Sequence, residues 1–531
     1  MEEIEELLRS MNPWWVNENW YKLDSEYSER VRKSPFERRW FRILNQAIKQ
    51  ISQGLGSWDV LILAGPRRTG KTSIMKKLVE YNSSIRKNFI YIVLDEYSIR
   101  KKVKEIGLRN ILMKIRKELK LKEPLIIMID EASTIEDWDL HVKNVIDFFV
   151  NEGIKFLLII TGSLGLRLIK GSTNILGRRG NIPILRNIQN PGLVLPYKFS
   201  EYAEAVPRVE NAIRRYGLLK TTDRMRILLK LSDPAIMDAD ISKIKKVYNK
   251  FNDILSALFR IYLLSGGYPL IIYEMVIKND LKTLDSKWYG EFSRAMLADL
   301  KYTSLRRDIA EYILDYLREI NDMKPLINLD RLTNYIRARA NLSKRDLTEH
   351  KVENYIDYFI GTYIMIKAVE ITQINHFKIN SKEKSHIQRR IKLFVTDPFI
   401  YHSIKFKDSL DPFKDSRKLL ENATQTGILV EHITCAHLLR LPNPILYYHL
   451  QEREGQTIRE IDCILHYMRK YIPIEVKFTE NEKRIKEEAD KTIQCLKNLN
   501  INSRLIMISK NIFVIEKDYV IIPAHIFLLL F

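Results

Sequence analysis

The 531-residue sequence predicts an α/β protein. Its core is a parallel sheet with a phosphate-binding loop, followed by a helical lid, a winged helix-turn-helix and a second, C-terminal α/β domain. Three features lead there. Between residues 58 and 195, four short apolar runs without polar alternation are separated by helical stretches, the pattern of central parallel strands buried on both faces. The first run is followed by Gly65-Pro66-Arg67-Arg68-Thr69-Gly70-Lys71-Thr72, a complete G-x-x-x-x-G-K-T. Near the C-terminus, two strand-like stretches carry Asp462 and then Glu475-x-Lys477.

Composition narrows the field. At about 150 residues per domain the length suggests three or four domains, and 46% hydrophobic with 29% charged residues excludes wholesale disorder. The 87 Lys and Arg less 66 Asp and Glu leave a net charge of +21, which favours a polyanionic partner, nucleic acid before a membrane surface. Three cysteines without a C-x-x-C pair exclude a disulfide framework and a Cys-rich zinc site, and fit a reducing cytoplasm. The N-terminus is acidic and amphipathic, without the design of a signal peptide, and no apolar run nears the roughly 18 residues of a membrane span. A cytoplasmic protein without membrane contact is expected.

Taken in order, residues 1–57 form an aromatic arm (Pro13-Trp14-Trp15, Trp20, Tyr21) ending in a helix from about Phe36 to Ile51. Residues 58–202 form the core, with buried strands at Val60–Leu63, Phe89–Leu94, Leu125–Ile129 and Phe156–Ile160. Residues 203–300 read as a helical lid interrupted at Gly266-Gly267-Tyr268-Pro269. Residues 301–405 give three helical segments and then a β-rich stretch, the order of a winged helix-turn-helix. Residues 406–531 run helix, two strands, helix, strands.

The phosphate loop has the right flanks: a strand before it, an amphipathic helix from Ser73 to Tyr81 after it. Its glycines let backbone N–H groups wrap phosphate at a helix N-terminus, Lys71 reaches the β- and γ-phosphates, and the Thr72 hydroxyl binds Mg²⁺. The third buried run ends in Asp130-Glu131. Asp130 is placed to hold Mg²⁺ through water, and Glu131 to polarise the attacking water. Thr161 and Ser163 close the fourth run, suited either to sensing the γ-phosphate or to an ordinary turn. Arg178 and Arg179 offer guanidinium groups, either as an arginine finger towards the nucleotide of a neighbouring copy or as a basic loop on DNA or solvent.

Asn12-Pro13-Trp14-Trp15, the phosphate loop, Asp130-Glu131 with Asp137-Trp138, Thr161-Gly162-Ser163, Gly177-Arg178, Leu195–Tyr202 and Gly266-Gly267-Tyr268-Pro269 together resemble the archaeal and bacterial AAA+-type ATPases related to STAND NTPases. That resemblance implies ATP as the nucleotide, a P-loop core, a winged helix and a C-terminal domain similar to PD-(D/E)xK nucleases.

In that last region Glu475 and Lys477, two apart, project from one face of a strand, and Asp462 on the neighbouring strand converges with Glu475 on a Mg²⁺ ion. This is the D-x(n)-E-x-K arrangement of restriction-endonuclease-like folds, with Glu431 as an additional acid on the first helix. Cleavage would be metal-assisted, with Lys477 activating water. An ordinary hairpin with surface charges carries the same letters. Two basic stretches complete the reading. Arg100–Lys122, as one helix, exposes a basic face, and Lys378, Lys382, Lys384, Arg389, Arg390 and Lys392 fall where a wing meets DNA backbone. The candidate recognition helix, His350–Met365, has mainly a packing face. The leading expectation is an ATPase acting on duplex or branched DNA with a nuclease-like effector. Its rival is an ATP-dependent switch that binds protein partners through a dead nuclease-like domain.

Overall fold

The computed structural model describes residues 2–32, 34, 37–163, 165–205, 221–236, 241–371, 390–441, 444–453 and 456–531. Its contacts divide the chain into two compact units: Met1–Leu195 with Gly361–Tyr363, and the remaining residues, Pro196–Ile360 with Ile364–Phe531. The expected arm of residues 1–57 thus belongs to the first unit. The expected lid, the winged region apart from Gly361–Tyr363, and the C-terminal region fall within the second.

In the first unit, α1 (Glu2–Met11) and α2 (Arg39–Ser52) precede β1 (Trp58–Ala64), α3 (Lys71–Tyr81) and β2 (Phe89–Val93). Then follow α4 (Tyr97–Ile106), α5 (Leu108–Glu118), β3 (Leu125–Asp130), α6 (Trp138–Asn151), β4 (Phe156–Gly162), α7 (Gly165–Leu176) and β5 (Gly192–Leu193). The sheet has the order β2-β3-β4-β1-β5 and is parallel throughout. Strands β3 and β4 are buried at every residue, as their unbroken apolar runs require. The basic stretch expected as one helix is two. Gly107, at φ 82°, breaks it between α4 and α5, a backbone geometry that glycine adopts without strain. Its charges are partly neutralised besides: Lys102 pairs with Glu105, Lys114 with Glu118 and Arg116 with Glu123, and Arg109 lies over the Phe148 ring.

The second unit begins with helices α8 (Phe199–Ala205), α9 (Thr221–Leu231), α10 (Ser242–Ser265) and α11 (Lys287–Leu297). Here the Gly-Gly-Tyr-Pro interruption is a close-packing device. A Cβ on Gly267 would sit 2.0 Å from the Tyr197 carbonyl oxygen, and one on Gly266 would sit 2.2 Å from the Asp397 carboxylate. Next come α12 (Arg307–Asp315), β6 (Leu326–Asn328), α13 (Leu329–Ala340), α14 (Glu349–Gly361), β7 (Met365–Glu370) and β8 (Arg390–Val395). These strands form a small antiparallel sheet in the order β6-β8-β7. In α14, Val352, Tyr355, Ile356, Tyr358 and Phe359 are buried, so its apolar face packs as expected. Lys378, Lys382, Lys384 and Arg389, read as wing charges, lie outside the described residues.

The remainder is α15 (Pro398–Lys405), α16 (Pro412–Leu419), α17 (Ala423–His437), β9 (Ile445–Arg453), β10 (Gln456–Tyr467), β11 (Lys470–Val476), α18 (Glu482–Asn498), β12 (Leu505–Ser509), β13 (Val514–Ile515) and β14 (Tyr519–Pro523). Strands β9, β10 and β11 form an antiparallel meander, and β12 returns beside β11 in parallel after α18. A parallel pairing of β7 with β9 at Val369–Tyr447 joins this sheet to the small one, giving nine strands in the order β13-β14-β12-β11-β10-β9-β7-β8-β6. Among the described residues no single helix is long and apolar enough to cross a membrane.

Candidate functional site

The phosphate loop leaves β1 at its C-terminal end and enters α3 through Gly70, whose φ of 89° lies in the left-handed region. Gly65 has a second reason to be glycine, because a Cβ there would lie 2.1 Å from the Val194 carbonyl oxygen on the neighbouring backbone. Pro66 and Thr69 are buried, Arg67 is half-buried, Arg68 is exposed at φ 66°, and Ser73 lies in the first turn of α3. The Thr69 hydroxyl donates to the Pro66 carbonyl at 2.9 Å, tightening the turn. Lys71 is buried, and its Nζ donates to the carbonyls of Gly65 (2.8 Å) and Pro66 (2.9 Å), which folds the ammonium over the loop.

Opposite stands the C-terminal end of β3. The Thr72 hydroxyl donates to Asp130 Oδ2 at 2.6 Å, and the Tyr91 hydroxyl donates to the same oxygen at 2.8 Å. Thr161, at the end of β4, donates to Asp130 Oδ1. Burial first and the Asp130 charge second push the Tyr91 phenol well above its ordinary pKa, so it remains a donor. Glu131 follows in left-handed backbone at φ 54°, a conformation a non-glycine residue adopts only where its surroundings hold it. Its carboxylate accepts from the Ser163 hydroxyl (3.0 Å) and the Ser163 N–H (3.3 Å). Lys71, Thr72, Asp130, Glu131, Thr161 and Ser163, far apart in sequence, therefore meet at one sheet edge. The donor set suits a nucleotide triphosphate with Mg²⁺: an ammonium and a helix N-terminus for phosphate, and hard oxygen ligands for the ion.

Arg178 and Arg179 do not join them. Arg178 donates to Asp147 at 2.7 Å, and Arg179 pairs with Asp59 at 3.5 Å and donates to the carbonyls of Ile188 and Leu185. Asp59 is the second residue of β1, whereas the phosphate loop follows its end, about five residues or roughly 16 Å away. The two guanidiniums are thus at the opposite sheet edge, away from this chain's own phosphate loop, a placement that leaves both expected roles standing, a finger towards a neighbouring copy's nucleotide and a basic loop. The sequence reading missed Arg38, which donates to the Thr69 carbonyl (2.7 Å) and the Leu195 carbonyl (2.9 Å), bracing the loop against the chain that follows β5. It also missed Tyr91, whose one signal was a hydroxyl inside an otherwise apolar buried run.

The C-terminal carboxylates Asp462 and Glu475 lie side by side with Lys477. The Val476 N–H donates to Asp462 Oδ2 (2.8 Å), the Asp462 N–H donates to Glu475 Oε2 (3.2 Å), and Lys477 Nζ donates to Glu475 Oε1 (2.6 Å). A one-residue register shift between Ile461 and Ile464, against β9, falls at Asp462, where bulges re-aim side chains. Among the described residues, Glu431, Glu460 and Asp462 form a trio of carboxylates close enough to share an ion. A cation already lies among them. Lys392, read as a wing charge for DNA, is 0% exposed on β8, with Nζ 2.9 Å from Glu431, 3.4 Å from Asp462 Oδ1 and in contact with Glu460. It also donates to the Asp462 carbonyl at 3.1 Å.

Burial first and the Asp462 charge second push Glu431 up to about 8. Burial and Asp462 likewise push Glu475 up to about 7. At Asp462 burial works against the charge, but Lys392 and Lys477 overcome it and lower the pKa. At Lys392 burial is outweighed by Glu431, Asp462 and Glu460, which raise it well above an ordinary lysine. With an ammonium in the middle of the trio, this arrangement does not fit a bound divalent ion. Glu460 is two residues before Asp462 and shares its strand face, a spacing that identifies it in retrospect.

Residues 57–202 match the AAA domain family. An uncharacterised protein of Methanocaldococcus jannaschii is 24% identical over 265 residues, covering 49% of this chain and 46% of the relative, so the match spans about half the length of each. Among solved structures, the chain is similar to the Aeropyrum pernix Orc1 protein in complex with DNA (14% identity, 71% of this chain, 92% of that one, TM-score 0.34). It is also similar to AMPPCP-bound DnaA from Aquifex aeolicus (12% identity, 63% and 90% covered, TM-score 0.25). Both TM-scores are too low to establish a common overall fold.

Proposed function

We propose that the chain is an ATP-hydrolysing protein that acts on DNA, its AAA domain driving a second unit with a winged helix and a nuclease-like fold. One observation carries the ATPase reading: Lys71, Thr72, Asp130, Glu131 and Ser163 converge at the mouth of a parallel sheet within the residues that match the AAA domain family. In this reading the loop and Lys71 hold the β- and γ-phosphates, while Thr72 and Asp130 hold Mg²⁺, which supplies charge neutralisation. Glu131 orients and polarises water once it leaves Ser163.

The order helix, strand, two helices and two strands in residues 307–395 supports a winged helix, and the helix, three-strand meander, helix and parallel strand from Ala423 to Ser509 support the nuclease-like fold. The net charge of +21 supports DNA as the polyanion. Lys392 favours a second reading of the C-terminal region alone. Its ammonium balances the carboxylates that a cleaving enzyme would give to metal, so this region serves as a binding platform while the ATPase does the work.

Radiolabelled-ATP turnover with and without duplex, single-stranded and branched DNA, run with a nicking assay over Mg²⁺ and Mn²⁺, tests both readings. DNA-stimulated turnover without nicking is the platform result, and nicking abolished by Asp462→Ala is the nuclease result. Turnover indifferent to every DNA, with no binding at low salt, removes DNA from the proposal.

A further inference from the structure

The Asn12-Pro13-Trp14-Trp15 segment carries no chemistry of its own, and the buried hydroxyl of Tyr91 belongs to no motif. The geometry points to a joint role: we propose that Tyr91 is a positioning residue that holds Asp130 for Mg²⁺–ATP, and that Asn12 and the two tryptophans fix the strand that carries it. The inference rests on the ATPase reading above.

β2 is the edge strand of its sheet, so one side of its backbone finds no strand partner. Asn12 takes that side with its amide, donating Nδ2–H to the Tyr91 carbonyl (2.8 Å) and accepting the Tyr91 N–H on Oδ1 (2.7 Å), as a neighbouring strand would. Both indoles donate to the Phe89 carbonyl, Trp15 at 2.8 Å and Trp14 at 3.2 Å. Asn12 and Trp14 are 0% and 1% exposed, so these bonds are shielded from water and specify one register. From that backbone the Tyr91 ring crosses to the end of β3, where its hydroxyl and that of Thr72 share Asp130 Oδ2 while Thr161 takes Oδ1. These three hydroxyls, with the Glu131 N–H donating to Oδ1 at 3.1 Å, fix the carboxylate plane. Thr72 is also the side chain expected to turn to the ion, and Tyr91 is then a donor that stays on Oδ2.

A purely structural role predicts otherwise. Phenylalanine fills the same volume and removes one hydroxyl, while Asp130 retains Thr72, Thr161 and the Glu131 N–H. Tyr91→Phe should then fold normally and lose only the orientation of the acid.

The test is equilibrium binding of a fluorescent ATP analogue to wild type, Tyr91→Phe and Asn12→Ala, each in EDTA and across a Mg²⁺ titration. In EDTA all three should bind alike, because the loop and Lys71 are untouched, and this arm also reports that the variants are folded. In Mg²⁺, the midpoint for Tyr91→Phe should rise about tenfold, the loss expected of one hydrogen bond to a charged group. Asn12→Ala should shift the midpoint in the same direction, with faster hydrogen exchange in Phe89–Val93. An unchanged Mg²⁺ midpoint in Tyr91→Phe, with normal binding in EDTA, overturns the role of Tyr91 and leaves the ATPase reading intact. A wild type that binds the analogue under neither condition overturns the ATPase reading and this inference with it.

Discussion

Replacing Lys392 with methionine isolates the one buried cation among Glu431, Glu460 and Asp462. The side chain keeps its length but loses the ammonium that lies 2.9 Å from Glu431 and 3.4 Å from Asp462. Removing one partner of a buried pair leaves charge without compensation and costs about 3–5 kcal/mol. At 1.4 kcal/mol per tenfold, amide exchange in β8, α17 and β10 should accelerate by roughly 100-fold to a few thousand-fold at pH 8, provided those segments exchange by local opening. The deficit should shrink towards pH 5–6. Glu431 is already raised to about 8 with Lys392 beside it, and without the lysine the folded state takes up protons more readily still, so stability falls as pH rises. Hydrogen exchange by mass spectrometry on wild type and Lys392→Met at two pH values reads both effects. Exchange within threefold of wild type at pH 8 would refute the idea that Lys392 is the counter-cation of this cluster.

Two further outcomes are expected. Gly267→Ala forces a Cβ to within 2.0 Å of the Tyr197 carbonyl oxygen, an overpacking that should cost about 1–3 kcal/mol and lower the thermal unfolding midpoint of the second unit. Asp397, buried and accepting from the N–H groups of Gly267 (2.7 Å) and Phe399 (2.8 Å), is raised by burial to about 7. A carboxyl raised in the folded state favours folding while protonated. Its contribution is therefore complete below about pH 4 and is lost up to about pH 7, a span of roughly 4 kcal/mol, with Glu431 and Glu475 sloping the same way and Asp462 the opposite way. His402, His432, His437 and His525, held below the ordinary histidine value by burial, slope stability upwards with pH over the same range, so the reading is a difference: the urea midpoint of wild type relative to Asp397→Asn should fall from pH 4 to pH 8.

The AAA-domain site was legible because its chemistry is local in sequence or lies at the ends of unbroken apolar runs. The phosphate loop, Asp130-Glu131 and Thr161/Ser163 each mark where a buried strand stops, and parallel pairing brings such ends together. Arg178 and Arg179 could not be placed from sequence, because a guanidinium near a motif says nothing about which sheet edge it faces. Asp59, the partner of Arg179, reads as one more polar residue at a strand start. The reading of Lys392 as a wing charge failed for a similar reason. Lys392 sits in a strand whose neighbours in sequence are basic, and only the tertiary fold turns it inwards to acids 39 and 70 residues further on. The basic stretch from residue 100 was read for charge, while the breaking residue, Gly107, was in plain view.

The central claim is that Lys71 and Glu131 serve one ATP-hydrolysing site in different roles, and the most direct measurement is steady-state ATP turnover beside nucleotide binding for wild type, Lys71→Ala and Glu131→Gln. Lys71→Ala should lose turnover and bind nucleotide weakly, having lost the charge that pairs with the phosphates. Glu131→Gln should bind as the wild type does and turn over at least 100-fold more slowly, the low end of what positioned acid–base catalysis contributes. Normal turnover in either variant would contradict the account.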